Sequence, residues 1–213
     1  RYRAKVELRE RGTKEVLGEV FEKLLPIIEP LSETGEFPSG RLHECLELVT
    51  LATSGLQGDW LKSVPPVGQK ASKESSELAA TLTSWMGMIH FIEQAQHPKA
   101  RAVSMRLWRK VAGDHRDLFL QTKGFSVYTP FFSMVHDRHR NLANDKSGLV
   151  RLEAAIAASY IGTPEALEAA LDLLKHPMDP YLTYALRTAL DSHTLQPIWK
   201  GNAAFMRKHP ELE

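Results

Sequence analysis

The chain has 213 residues, with 27 Lys and Arg against 26 Asp and Glu, for a net charge of +1. An apolar share of 43% with charges in balance excludes disorder over most of the length, and no run approaches the ~20 consecutive apolar residues of a membrane span. The single cysteine, Cys45, excludes an internal disulfide framework, a cysteine-based zinc site and a CxxCH haem attachment, and it leaves the compartment open.

The dominant hydrophobic period is helical. Thr13 to Leu25 places Val16, Leu17, Val20, Phe21 and Leu24 on one face, and Pro26 and Pro30 are expected to stop it. Arg41 to Ala52 repeats the pattern through Leu42, Cys45, Leu46 and Val49. The Gly, Pro, Ser and Lys residues of 54–76, including Val64-Pro65-Pro66-Val67-Gly68, predict a long loop. Ser75 to Gln96 directs Leu78, Leu82, Trp85, Met86, Ile89 and Ile92 inward, and Pro98 separates it from Ala100 to Val111. The stretch 113–140 is expected to be irregular, with Phe125-Ser126-Val127-Tyr128 a hint of extended chain ahead of Pro130.

The last third is more regular. Val150 to Ile161 is an Ala-rich helix closed by Gly162. Thr163 is a fitting N-cap and Pro164 a fitting first residue for the next helix, whose Leu167, Ala170, Leu171 and Leu174 share a face before His176-Pro177 ends it. Asp179-Pro180 then opens Tyr181 to Leu190, with Leu182, Ala185, Leu186 and Ala189 on its apolar side. Short turns between helices of this length read as stacked hairpins.

Faint internal repetition supports that reading. Tyr2-Arg3-Ala4-Lys5-Val6, Ala100-Arg101-Ala102-Val103-Ser104 and Val150-Arg151-Leu152-Glu153-Ala154 each put an Arg near a helix start, followed by a small or apolar residue. Pro98 and Gly148 precede two of the three. Helix pairs that bury a continuous core only by stacking are the design of an alpha-solenoid, and irregular repeat length favours the HEAT-like kind. The expected fold is therefore all-α, a HEAT-like alpha-solenoid of stacked antiparallel helix pairs forming one domain over 1–213. A start at Arg1 with no signal-like apolar segment suggests a processed chain or part of a longer protein.

Candidate chemistry is sparse. His136-Asp137-Arg138-His139 offers two imidazoles at i, i+3, and Asp137 or Asp145 could complete a metal set. There is no third ligand at fixed spacing, however, and Arg138 and Arg140 would repel a cation, so a solvated helix end is the expectation. His115 among Asp114, Arg116 and Asp117 follows the turn at Gly113 and reads as a surface turn. Cys45 lies on an apolar helix face and reads as a small core residue. A Gly-rich phosphate loop, a G-x-S-x-G elbow and an HExxH motif are all missing from the sequence. No residue is assigned a catalytic, cofactor-binding or metal-binding role, and no cofactor is assigned to this chain. Arg101 and Arg151, with Asp145 and Asp179 near the turns, are expected to bond one repeat to the next, and Trp199 to plug the end of the stack.

Charge is distributed unevenly. Over 99–140 nine Lys and Arg face three Asp and Glu, while over 26–80 four face eight. The basic segment interleaves Trp108, Phe119, Phe125, Tyr128, Phe131 and Phe132, a composition suited to nucleic acid or an acidic protein. The preferred reading makes the aromatics core and the cations a solvated face or a contact with a neighbour.

Arg3-Ala4, Glu7-Leu8-Arg9-Glu10-Arg11, Val150-Arg151-Leu152-Glu153-Ala154-Ala155 and the run Leu174 to Tyr184 together carry a family likeness. They resemble the HEAT-repeat region of large secreted proteins of the planctomycete and verrucomicrobial type. Those proteins combine a sugar-dehydrogenase-like beta-propeller, HEAT repeats and a CxxCH cytochrome domain. Leu195-Gln196-Pro197-Ile198-Trp199-Lys200 is similar to the segment after the last repeat. The likeness covers 1–20, 97–109 and 141–200, and is poor over 26–96 and 110–140. It implies a scaffold or docking module that positions dehydrogenase and cytochrome modules in a periplasmic or extracellular redox protein. The parent would be an oxidoreductase, with c-type haem in a neighbouring domain or subunit. The expected partners are proteins; nucleic acid and a membrane span are not expected. The alternative is a HEAT-like DNA-binding protein of the alkylpurine glycosylase type, using Trp85, Trp108 and the 99–140 cations, against which the net charge of +1 argues. A repeat-type lyase attaching a bilin has only the fold in its favour.

Overall fold

The computed structural model describes residues 6–7, 10–11, 13–34, 36–37, 40–55, 72–114 and 129–210. The chain is all-α, and no strand occurs among the described residues. In order the helices are α1 (Thr13–Thr34), α2 (Leu42–Gly55), α3 (Lys73–Gln94), α4 (Pro98–Asp114), α5 (Thr129–Ala143), α6 (Gly148–Ile161) and α7 (Pro164–Leu171). A 3-10 turn (Asp172–Lys175) follows α7, and then come α8 (Pro180–Leu190), α9 (Gln196–Trp199) and α10 (Ala203–Lys208). Among the described residues no helix is long and apolar enough to cross a membrane. The packing divides the chain into two compact units, Arg1–Lys110 and Val111–Glu213.

In the N-terminal unit α1 packs against both α2 and α3. Val16, Leu17, Leu24, Cys45, Val49, Trp85, Ile89 and Ile92 are buried there, as their helical spacing predicts. Two expectations are corrected. Pro26 and Pro30 do not end α1, which continues to Thr34. Each proline removes a backbone donor, at about 3 kcal/mol in a helix interior. The segment between them carries Ile27 and Ile28, both buried, and each contributes about 1.5–3 kcal/mol of burial to offset that cost. In α3 the inward methionine is Met88, while Met86 is half-buried.

The loop expected over 54–76 lies mostly outside the described residues, with α2 ending at Gly55 and α3 starting at Lys73. Of the stretch expected to be irregular, 113–140, the part from Thr129 onward is helical. Pro130 is its second residue, where a missing amide hydrogen costs nothing because no intrahelical acceptor awaits it. The hint of extended chain at 125–128 falls outside the described residues.

In the C-terminal unit α5 lies against α6 and α7, and α6 lies against α7 and α8. The punctuation works as its residues dictate. Gly162 takes the left-handed conformation (φ 65°) that closes α6, its N–H donating to the Ala158 carbonyl at 2.8 Å. The Thr163 hydroxyl accepts from the Ala166 amide at 3.2 Å, and Asp179 Oδ1 from the Leu182 amide at 2.8 Å, so both helices following a cap-proline pair are capped as expected. Thr194 donates to the Ser159 carbonyl at 2.6 Å, tying the chain beyond α8 to the end of α6.

Candidate functional site

Two turns in the chain are built alike. Ahead of α4, the Arg101 guanidinium Nη1 donates to the Ala95 carbonyl at 2.7 Å and the Gln96 carbonyl at 2.6 Å. Ahead of α6, Arg151 Nη1 donates to the carbonyls of Asp145 at 2.8 Å and Lys146 at 3.2 Å. In both cases the acceptors lie six and five residues before the arginine, and the two arginines are 50 positions apart. The backbone follows suit. The Ala95 amide bonds the Ile92 carbonyl and the Asp145 amide the Leu142 carbonyl, both at 3.3 Å, while Ala100 and Val150 bond His97 and Ser147 at 3.1 Å.

Both arginines are buried, a cost that the carbonyl acceptors offset, although Arg151 Nε has no hydrogen-bond partner. Arg151 also reaches forward, its Nη2 donating to the Pro177 carbonyl at 3.2 Å in the following turn. The expected bonding from one turn to the next is thus present at Arg151. Asp145 serves its own turn by accepting from the Ser147 amide at 2.8 Å, and Asp179 serves its own helix as the cap. The third turn of the series has Thr183 where arginine stood, by count from the capping residue. The copy near Arg3 falls outside the described residues.

The histidine pair proves different from either reading of the sequence. His139 is completely buried in α5, at the position that Ile89 holds 50 residues earlier, so it is no solvated helix end. Its Nε2 lies 2.9 Å from the Ala154 carbonyl, which makes Nε2 the protonated nitrogen and the donor. Its Nδ1 is buried without a hydrogen-bond partner. Burial pushes the imidazole pKa down to about 4, against the opposing pull of the Ala154 carbonyl. His136, one turn earlier and half-buried, is also lowered by burial, which outweighs the raising influence of Glu165 and Asp137. Among the described residues no group of three His, Cys, Asp or Glu could hold a metal ion.

A pH dependence follows from His139. Its pKa is near 6.5 in the unfolded chain and about 4 in the fold, so between those values the unfolded state binds the extra proton. Stability should fall as pH drops from about 6.5 to about 4, by about 3 kcal/mol in total, and level off below. His139→Ile, which copies the residue of the earlier hairpin, should remove that slope from urea midpoints taken between pH 7 and 4. Parallel profiles for the two proteins would show that the imidazole carries no such linkage.

The remaining candidates are structural where they are described. Cys45 is fully buried, and burial pushes its thiol up to about 12, far from a nucleophile's range. Trp85 and Trp108 are both core residues, and Trp108 Nε1 donates to the Glu93 carboxylate at 3.2 Å; neither ring is presented to a DNA duplex. Trp199 is half-buried, with its Nε1 donating to the Leu190 carbonyl at 3.0 Å, one of the carbonyls left open at the end of α8. His115, Arg116, Asp117, Phe119, Phe125 and Tyr128 lie outside the described residues, as do the side chains of Asp114, Phe131 and Phe132. No protein-family model, curated protein or solved structure matches the chain.

Proposed function

We propose that the chain is a HEAT-like alpha-solenoid segment serving as a scaffold or docking module, one that positions dehydrogenase and haem-cytochrome modules in a periplasmic redox protein or complex. The observation that carries the solenoid reading is the arginine turn built twice at a spacing of 50 residues, with Arg151 bonded forward to the Pro177 carbonyl of the next turn. A guanidinium that bonds its own turn and the following one, as Arg151 does, ties a helix pair to its neighbour, the kind of nearest-neighbour contact on which a solenoid depends. The resemblance of Val150–Ala155 and Leu174–Tyr184 to HEAT regions of propeller–cytochrome proteins supports the redox setting.

The action of such a module is geometric. Stacked hairpins hold two partners at a fixed separation, and the partners supply the chemistry. Isolation of the native protein with its intact mass and visible spectrum tests this directly. The expected result is a species well above 24.0 kDa, or a copurifying subunit, carrying a covalent c-type haem band. A haem-free species of 24 kDa with no cytochrome beside it would overturn the redox assignment.

A further inference from the structure

The seam that holds α5 to its neighbours is light in apolar surface. Among the described side chains of α5 the buried ones are Val135, His139, Leu142 and Ala143, at i, i+4, i+7 and i+8 on the helix that packs against α6 and α7. Fifty positions earlier α3 places Trp85, Ile89, Ile92 and Glu93 at the same four points, all buried, with Glu93 accepting from Trp108. Apolar burial contributes about 25 cal/mol per Å², so a seam of Trp and two Ile holds more firmly than one of Val and Leu. The centre of the seam is isoleucine in one helix and imidazole in the other, so the hairpin itself does not require a histidine there.

That imidazole fits its place only while neutral. Nε2 spends its hydrogen on the Ala154 carbonyl of α6 at 2.9 Å, the ring has no exposed surface, and Nδ1 has no partner. A proton on Nδ1 would put a charged donor with no acceptor into the middle of the seam, a larger cost than the about 1–3 kcal/mol of an unmet neutral group. The surrounding charges offer no relief. His136 and Arg140 on α5 both disfavour a second cation, which adds to the effect of burial. Asp137 and Glu165 of α7 act on His136, and none of the described carboxylates pulls on His139. On α6, Arg151 is bonded to its turns and Glu153 is engaged as well. Glu168 of α7 is taken by Lys208 and His209, and Asp172 by Lys175. Nδ1 therefore gains its proton by reaching water, which requires α5 to move.

The neighbours can keep their places when it does. α6 also packs against α8, and the turn joining α5 to α6 is held by Arg151 and Asp145 without His139. We infer that α5 is an acid-released helix: protonation of His139 at Nδ1 favours a state in which α5 has swung off α6 and α7 about the Asn144–Asp145 turn, while α6 stays packed on α8. This goes beyond an overall loss of stability in acid, because the opening is confined to one helix, and it does not depend on the redox assignment. With the imidazole near 6.5 when free and about 4 when buried, the released state gains about 20-fold in population from pH 7 to pH 5.

Hydrogen exchange read by mass spectrometry on the whole chain at pH 7 and pH 5, corrected for the intrinsic pH dependence of amide exchange, tests the proposal. The expected result is about 20-fold lower protection of α5 at pH 5, with α1 and α8 unchanged, and no such response in His139→Ile. His139→Gln, which keeps a donor for the Ala154 carbonyl but does not titrate, serves if circular dichroism shows the isoleucine variant misfolded, and should be equally flat. Unchanged protection of α5 in the wild type overturns the proposal. So does a loss that α8 shares in step, since the whole unit would then be opening. A response that survives both His139 changes and disappears in His136→Asn belongs to the neighbouring imidazole and also overturns it.

Discussion

Replacing Arg151 with alanine should destabilise the C-terminal unit by about 4 kcal/mol. The guanidinium is buried and donates to three carbonyls, those of Asp145, Lys146 and Pro177. Hydrogen bonds to a charged group contribute about 1.5–3 kcal/mol each, and those not recovered by water at the opened turn make up the loss. Arg151→Lys should restore less than half of it, because an ammonium is a point donor and cannot span carbonyls on two turns as the planar fork does. Urea midpoints of the two variants at constant slope provide the measurement. A loss below about 1 kcal/mol for the alanine variant would mean that the turns hold without the guanidinium, and the structural basis of the stacking would have to lie elsewhere.

The second large effect is in the N-terminal unit. Trp108→Ala should cost about 4 kcal/mol, within the range for emptying a fully buried large side chain. A control separates packing from polarity. Trp108→Phe keeps most of the ring but deletes the donor at 3.2 Å from the buried Glu93 carboxylate, and should cost about 1–2 kcal/mol by itself. Equal losses for the two variants would mean that the hydrogen bond, and not the volume, dominates. Because Glu93 and Trp108 belong to α3 and α4, this contact fixes how those helices meet, and its loss should lower the cooperativity of unfolding as well as the midpoint.

What could be read in advance depended on whether the signal was local. The caps Thr163 and Asp179 and the closing Gly162 were legible because each acts within four residues of itself, and α6 and α8 stand as expected, whereas α7 passes into a 3-10 turn after Leu171 that buries Leu173 and leaves Leu174, expected on the apolar face, exposed. Pro26 and Pro30 misled because their cost is local, whereas the compensation comes from Ile27 and Ile28 packing into a core assembled from other helices. His139 looked like surface because Asp137, Arg138 and Arg140 surround it in sequence. The overlooked signal is its spacing, i+4 from Val135 and i−3 from Leu142, both of which are buried. The forward bond of Arg151 to Pro177 spans 26 positions and depends on how hairpins stack, which periodicity does not encode.

Cys45 gives the protein a built-in clock. Its thiol is the chain's single one, has no exposed surface, and is pushed up to about 12 by burial between packed helices. A thiol reagent at neutral pH meets no thiolate while α1 and α2 stay together, so labelling proceeds at the rate at which that packing opens. Each labelled molecule gains one adduct, with no second cysteine to confuse the count. Mass spectra taken during exposure would therefore record opening of the N-terminal unit alone, in the unaltered protein, while the hydrogen-bonded turns of Arg101 and Arg151 are left chemically untouched.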